Sequence, residues 1–249
     1  MLNPGHGLTQ HDDGTWRFQR PQPDDGGVYV LEDDSNLLMA RVVADVLTKA
    51  GATVLSTRDL EIEPVGESGE PAWRESARDS LRRRAVPETV WNSSGRSLRG
   101  DCRSAQDLRA RALYANLERA DVLLSLHSNA GVPWTRGTQV YHGTKGYLRG
   151  SSSDPSPKSA CLARFIADAV PNAIRAQRPD LNWGAGEVRS SNNYGENGYA
   201  LMPAVILEVG FHTNAVDGKA LGQDSFRRAV ASGVREALER FFSSAQRCP

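Results

Sequence analysis

No apolar run in this 249-residue chain approaches the roughly 18 residues that cross a bilayer. No membrane span is therefore expected. Neither sign of charge is in excess: 30 Lys and Arg stand against 30 Asp and Glu. That balance gives no electrostatic case for nucleic acid or an anionic membrane as partner. Cysteine is scarce. Cys102, Cys161 and Cys248 lie far apart with no CxxC pair, and because three is odd, at least one is free or bonds between chains. One internal bridge is open, and the pairing is not readable. Two compact catalytic signatures are also missing, the HExxH helix of zinc peptidases and the GxSxG elbow of serine hydrolases. There is no internal repeat. No charged segment, apolar segment or cleavage site precedes Pro4-Gly5-His6-Gly7. A cytoplasmic chain and one trimmed of its export signal both fit that start.

What is present is the balance of a globular domain, 39% hydrophobic and 24% charged. A chain of this length can bury roughly three-quarters of its unfolded surface, so it needs neither metal nor disulfide merely to fold. One domain over 1–249 with insertions is expected rather than two. Residues 8–31, rich in Asp, Gly, Pro and Gln, read as a long loop. Leu38, Val42, Val46 and Ala50, with Leu47, predict an amphipathic helix over 36–50, capped by Asp34 or Ser35 and ended by Gly51. Ala52–Thr57 follows as a buried strand.

Residues 60–105 are sparse in apolar side chains and exceed an ordinary connection. Trp73, Ala77 and Leu81 share a helical face there. The segment reads either as a surface insertion or as a lid that a regulatory protein could act on. Helix is predicted again over 106–119, strand over 121–126 ending at His127, and strand over 137–142. A helix from Pro157 carries Leu162, Phe165, Ile166 and Ala169, with Pro171 expected to kink or end it. Residues 178–200 are polar and rich in Gly and Asn. Pro203–Val209 is an apolar strand, and a last helix over 225–242 turns Phe226, Val230, Val234, Leu238 and Phe241 or Phe242 inward. Strands alternating with helices predict an α/β fold, a twisted, mainly parallel sheet flanked by helices, with working residues at the carboxyl ends of its strands.

Four side chains stand out. His6 sits between glycines, so its ring can approach a ligand unhindered, although a solvated turn histidine fits the same tetrapeptide. His127 ends a strand, where a site residue and a satisfied core histidine are equally readable. Glu32 precedes a helix, where its charge also suits the helix dipole. Glu208 lies inside the run Ala204-Val205-Ile206-Leu207 and before Val209, and a carboxylate among such neighbours is costly unless paired or functional. Together, two histidines and a glutamate are a known catalytic zinc set, and a further glutamate can serve as general base.

The order and context of these residues resemble the zinc-dependent N-acetylmuramoyl-L-alanine amidases of the Amidase_3 type. The pieces are Asn3–Gly7, Glu32 with its helix, Gly51–Asp59, Arg111 with Ala115-Asn116, Ala120–Ala130, and Met202–Phe211 ending at Asn214. The resemblance implies a zinc ion on His6, Glu32 and His127, and Glu208 as the catalytic carboxylate. The bond cut would be the amide between the lactyl group of N-acetylmuramic acid and L-alanine of the peptidoglycan stem. Asn3 departs from the pattern, which usually has Asp there. Asp33, Asp34 and His11 are alternatives to Glu32. Arg189, Asn192 and Asn193, with Tyr194, are candidates for binding the stem peptide's carboxylates. Rival readings are a zinc carboxypeptidase or other amidohydrolase, and a non-catalytic wall-binding module. A wall substrate implies a periplasmic or extracellular location, and favours a trimmed secreted protein or a fragment over a cytoplasmic chain.

Overall fold

The computed structural model describes residues 1–10, 16–18, 27–60, 76–91, 102–143, 156–191, 193–244 and 248. Its elements in chain order are β1 (Leu2–Pro4), β2 (Leu8–Gln10), β3 (Trp16–Phe18), α1 (Glu32–Lys49), α2 (Ser76–Arg83), α3 (Glu88–Trp91), α4 (Cys102–Leu117), β4 (Leu123–Asn129) and β5 (Gln139–His142). Then come α5 (Ser156–Gln177), β6 (Glu187–Ser190), α6 (Gly195–Gly198), β7 (Ala204–Phe211), α7 (Ala215–Leu221) and α8 (Asp224–Ser243). Five strands form one sheet in the order β1-β4-β7-β5-β6. β1, β4 and β7 run parallel, β5 is antiparallel to β7, and β6 is parallel to β5. The sheet is mixed but mainly parallel, as expected.

Alternation along the strands decides what each face does. Leu124 and Leu126 of β4 and Val205, Leu207 and Val209 of β7 join the main core with residues of α1, α5 and α8. The intervening positions face the other way. Leu123 and Ala204 pack there against Ala112 and Ala115 of α4, and Ser125, His127 and Glu208 share their face. The sheet thus has an apolar side under three helices and a polar side under α4 and α6.

Several elements differ from the sequence reading. Residues 8–31 are not all loop: β2 and β3 pair antiparallel, Leu8 opposite Phe18. The buried stripe of α1 is Leu37, Ala40, Val43 and Leu47 rather than Leu38, Val42 and Val46, which are half-buried at its margin. Residues 52–57 form no strand; only Ser56 bridges Leu2, because this segment flanks the short β1 and is largely exposed. Pro171 does not end α5, which continues to Gln177. The Ala167 carbonyl, which a proline at 171 cannot satisfy, faces Gly186, where any Cβ would collide with it. In the 60–105 insertion, Ala77 and Leu81 are buried with Trp91 against Ala110 of α4. That face is spent on α4. Trp73 lies outside the described residues.

Cys161 of α5 is bonded to Cys248. The bridge joins positions 87 apart in sequence, a span for which loop-closure entropy predicts about 4–5 kcal/mol of stabilisation. Replacing both cysteines by alanine should lower the thermal midpoint by on the order of 10 °C. An unchanged midpoint in calorimetry would mean that the bridge contributes nothing in solution.

Candidate metal centre

His6 is set by a turn that the chain holds under constraint. Its φ is +58°, a left-handed value uncommon outside glycine. Three side chains grip the surrounding carbonyls. Arg111 donates to the Pro4 carbonyl (2.8 Å) and the His6 carbonyl (2.7 Å). Arg58 donates to Gly5 O (3.0 Å), and Asn36 to the same oxygen (3.2 Å). The Gly7 amide donates to Asp33 Oδ1 at 2.5 Å, so Asp33, an alternative to Glu32, is occupied in holding the turn. Gly5 must be glycine because the His127 ring lies against it and a Cβ would overlap that ring.

Glu32 is the first residue of α1 rather than a residue before it. The helix start aims its carboxylate between the two histidines. Glu32 Oε1 is 3.3 Å from His6 Nε2 and 3.4 Å from His127 Nδ1. The Ser128 amide and Asn36 donate to the same oxygen. The two imidazoles meet edge to face with centroids 4.8 Å apart. One donor atom each from His6, Glu32 and His127 lie within 4.8 Å of one another, a grouping able to hold a metal ion. His11 lies outside the described residues.

His127 lies within β4, not past its end, and is the register partner of Glu208 on β7. Glu208 in turn lies opposite Gln139 of β5. The carboxylate that interrupts an apolar run is thus placed beside the imidazole by strand pairing alone.

The sequence reading missed Glu196. It sits on α6, in a segment read only as polar, and is 3% exposed. Its Oε2 lies 3.5 Å from His127 Nε2, and its Oε1 accepts a hydrogen bond from Asn3 Nδ2. The signals available were Asn3 standing where the resembled pattern has Asp, and an acidic residue set in the Gly-Glu-Asn-Gly run at 195–198.

Three buried glutamates around two imidazoles make a strongly negative cluster. Burial opposes the charge of Glu196, yet His127, Arg111 and His6 hold it down at about 2. Burial also opposes Glu32, but His6 and His127 outweigh it and hold the carboxyl well below its ordinary range. Burial lowers His127, and the carboxylates of Glu196, Glu32 and Glu208 outweigh it and push it up to about 10. Protonation of the imidazole is one way to satisfy this field, and a divalent cation is the other.

The predicted substrate residues are on β6 and the segment that follows it. Arg189 is exposed on β6 and pairs with Glu187 at 2.8 Å. Gln139 links that pair to the sheet, donating to Glu187 at 3.2 Å while accepting from Asn129 at 3.0 Å and from Tyr141 at 2.9 Å. Asn193 is exposed, its amide bonded to Ser191 Oγ. Asn192 lies outside the described residues. Tyr194 packs edge to face on Tyr141, and burial, Tyr141 and Glu208 raise its hydroxyl to about 12.

The chain resembles known proteins over nearly its whole length. It is 24% identical over 246 residues to the germination-specific N-acetylmuramoyl-L-alanine amidase of Bacillus subtilis, covering 97% of this chain and 78% of that protein. Its fold matches that of the amidase Ami1 from Mycobacterium abscessus in its apo form, with a TM-score of 0.60 at 16% identity, covering 97% of this chain and 96% of that one. It also matches the CwlD amidase of Clostridioides difficile, solved in complex with the GerS lipoprotein, with a TM-score of 0.51 at 17% identity and coverage of 97% and 96%. Residues 1–240 match the Amidase_3 family, described as N-acetylmuramoyl-L-alanine amidase, and the chain belongs to that family of peptidoglycan-cleaving enzymes.

Proposed function

We propose that this amidase is zinc-dependent, with His6, Glu32 and His127 as the metal ligands and Glu208 as the proton carrier. The observation behind this reading is a pair of distances. Metal bonds near 2.1 Å in a tetrahedron set neighbouring donors about 3.4 Å apart. The 3.3 Å and 3.4 Å separations that share Glu32 Oε1 match such edges. The donor set fits as well, two imidazoles and one carboxylate that leave a fourth position for water. A zinc ion held there would polarise the scissile carbonyl and acidify its water.

The chain's own groups do the rest. Glu208, beside His127, accepts a proton from the attacking water and returns it to the departing amine of L-alanine. Arg58, Arg111 and Asn36 keep the His6 turn from relaxing. Arg189 is available to a stem-peptide carboxylate, because its exposed pairing with Glu187 is a weak interaction that a substrate can replace. Asn193 and Asn192 stand in the same segment as further contacts. The bridge between Cys161 and Cys248 suits an oxidising compartment and supports a periplasmic or extracellular location. The CwlD amidase solved with GerS makes a protein regulator a reasonable partner, and the 60–105 insertion is where we place its contact.

Metal analysis with a peptidoglycan digest tests this reading. We expect about one zinc per chain, and stem peptides released with the glycan intact. Loss of only a terminal residue from the stem would establish a carboxypeptidase instead. Glu208→Gln should keep its zinc and lose about 10²–10⁴-fold in kcat; an unchanged rate would remove Glu208 from the proton-transfer role. Gly5→Ala should drive the His127 ring off its position. Zinc content and activity are then expected to fall more than tenfold while far-ultraviolet circular dichroism is retained. A fully active Gly5→Ala protein would show that the tight packing of this turn is dispensable.

A further inference from the structure

We propose that Glu196 is the positioning residue for His127, and that Asn3 is matched to it. This rests on the metal reading above. His127 has two ring nitrogens with separate tasks. Nδ1 faces Glu32 Oε1 and the donor cluster, while Nε2 lies 3.5 Å from Glu196 Oε2, within ion-pair distance and without a formed hydrogen bond. Both nitrogens face carboxylates, so the choice follows from the metal reading: with the Nδ1 lone pair given to the cation, the ring proton falls on Nε2, where Glu196 can accept it. Glu196 thereby holds that tautomer and the ring orientation.

Asn3 makes the arrangement specific to this chain. Its amide nitrogen donates to Ser125 Oγ at 2.8 Å and to Glu196 Oε1. Its oxygen accepts from Thr57 Oγ1 at 2.6 Å and from Arg111 at 3.1 Å. All four bonds are used, and Asn3 is fully buried. An aspartate in this place would keep the two acceptor bonds but could not donate to Glu196. It would instead set one buried carboxylate against another. The negative charge that orients the site is therefore carried at 196 and is compatible only with a donor at 3.

The test is zinc affinity, measured on the full chain by competition with a chromophoric chelator, beside melting curves that confirm folding. Glu196→Ala should weaken zinc binding about 10–100-fold. Glu196→Gln should weaken it less, because the introduced amide oxygen can still accept from Nε2. Asn3→Asp should weaken binding on its own, and combining it with Glu196→Gln should recover part of the loss, since the new amide can donate to the new carboxylate. Nitrogen-15 NMR of the zinc-loaded protein should show the Nε2–H tautomer at His127, with the ring signals broadened or shifted in Glu196→Ala. His127→Ala separates the two layers of the argument. If it abolishes zinc binding while Glu196→Ala and Glu196→Gln both bind within twofold of the unaltered protein, the positioning role is wrong. If the unaltered chain binds no zinc, the metal reading itself fails. Equal losses in Asn3→Asp and in the double variant would overturn the matching of Asn3 to Glu196.

Discussion

The register of three parallel strands is the constraint on which the site depends. β1, β4 and β7 place Asn3 beside Ser125 and His127 beside Glu208. Side chains alternate along a strand, so these polar groups share one face while Leu124, Leu126, Leu207 and Val209 face the helices opposite. Slipping β7 by one residue would carry Glu208 into that apolar core and bring leucine to the imidazole. The hydrophobic pattern therefore does more than stabilise the domain. By fixing register, it fixes which carboxylate stands next to which histidine.

The polar face is costly to bury, and side chains that make several bonds at once offset part of that cost. Arg111 illustrates this. It neutralises Asp107 at 2.7 Å, bonds Asn3, and grips two carbonyls of the His6 turn. One guanidinium thus balances charge and holds shape together, a task suited to its planar fork of donors. Arg58 does similar work from the other side, reaching Gly5 O and the Asp33 carbonyl. With both in place, the carbonyls around His6 are held while its φ stays left-handed.

Much of this was legible in the sequence. β7 and α8 were readable because their apolar runs and four-residue steps leave no competing pattern, and His127 and Glu208 were readable as polar intrusions into such runs. The amphipathic face of α1 was read one position out, since a strict four-residue step drifts around a helix while the buried stripe at 37, 40, 43 and 47 mixes threes and fours. β6 escaped notice because all four of its residues are exposed at a sheet edge, so no alternation marks it. Glu196 escaped for a different reason. Its partner Asn3 is 193 positions away, and nothing in a Gly-Glu-Asn-Gly stretch reports that contact. Pro171, expected to kink or end α5, does not end it, and Gly186, whose missing Cβ leaves room for the Ala167 carbonyl, is connected to it by no local rule.

These cases share a cause. Periodicity reports burial, and it finds a site residue only where chemistry interrupts burial. The proposed metal ligands and Glu208 belong to that class, being polar groups set in or beside apolar elements. The groups that orient them sit in turns and short helices, where polarity is the ordinary condition and carries no signal. The family pattern adds a second route, because a departure from it marks a place where a charge has gone missing. Asn3 was such a departure. Its four hydrogen bonds tie it to Ser125, Thr57, Arg111 and Glu196, the last a carboxylate on α6 that lies beside His127. A residue at one end of the chain is thus set against one near the other end, once the sheet has brought β1 and β4 to the face that α6 covers.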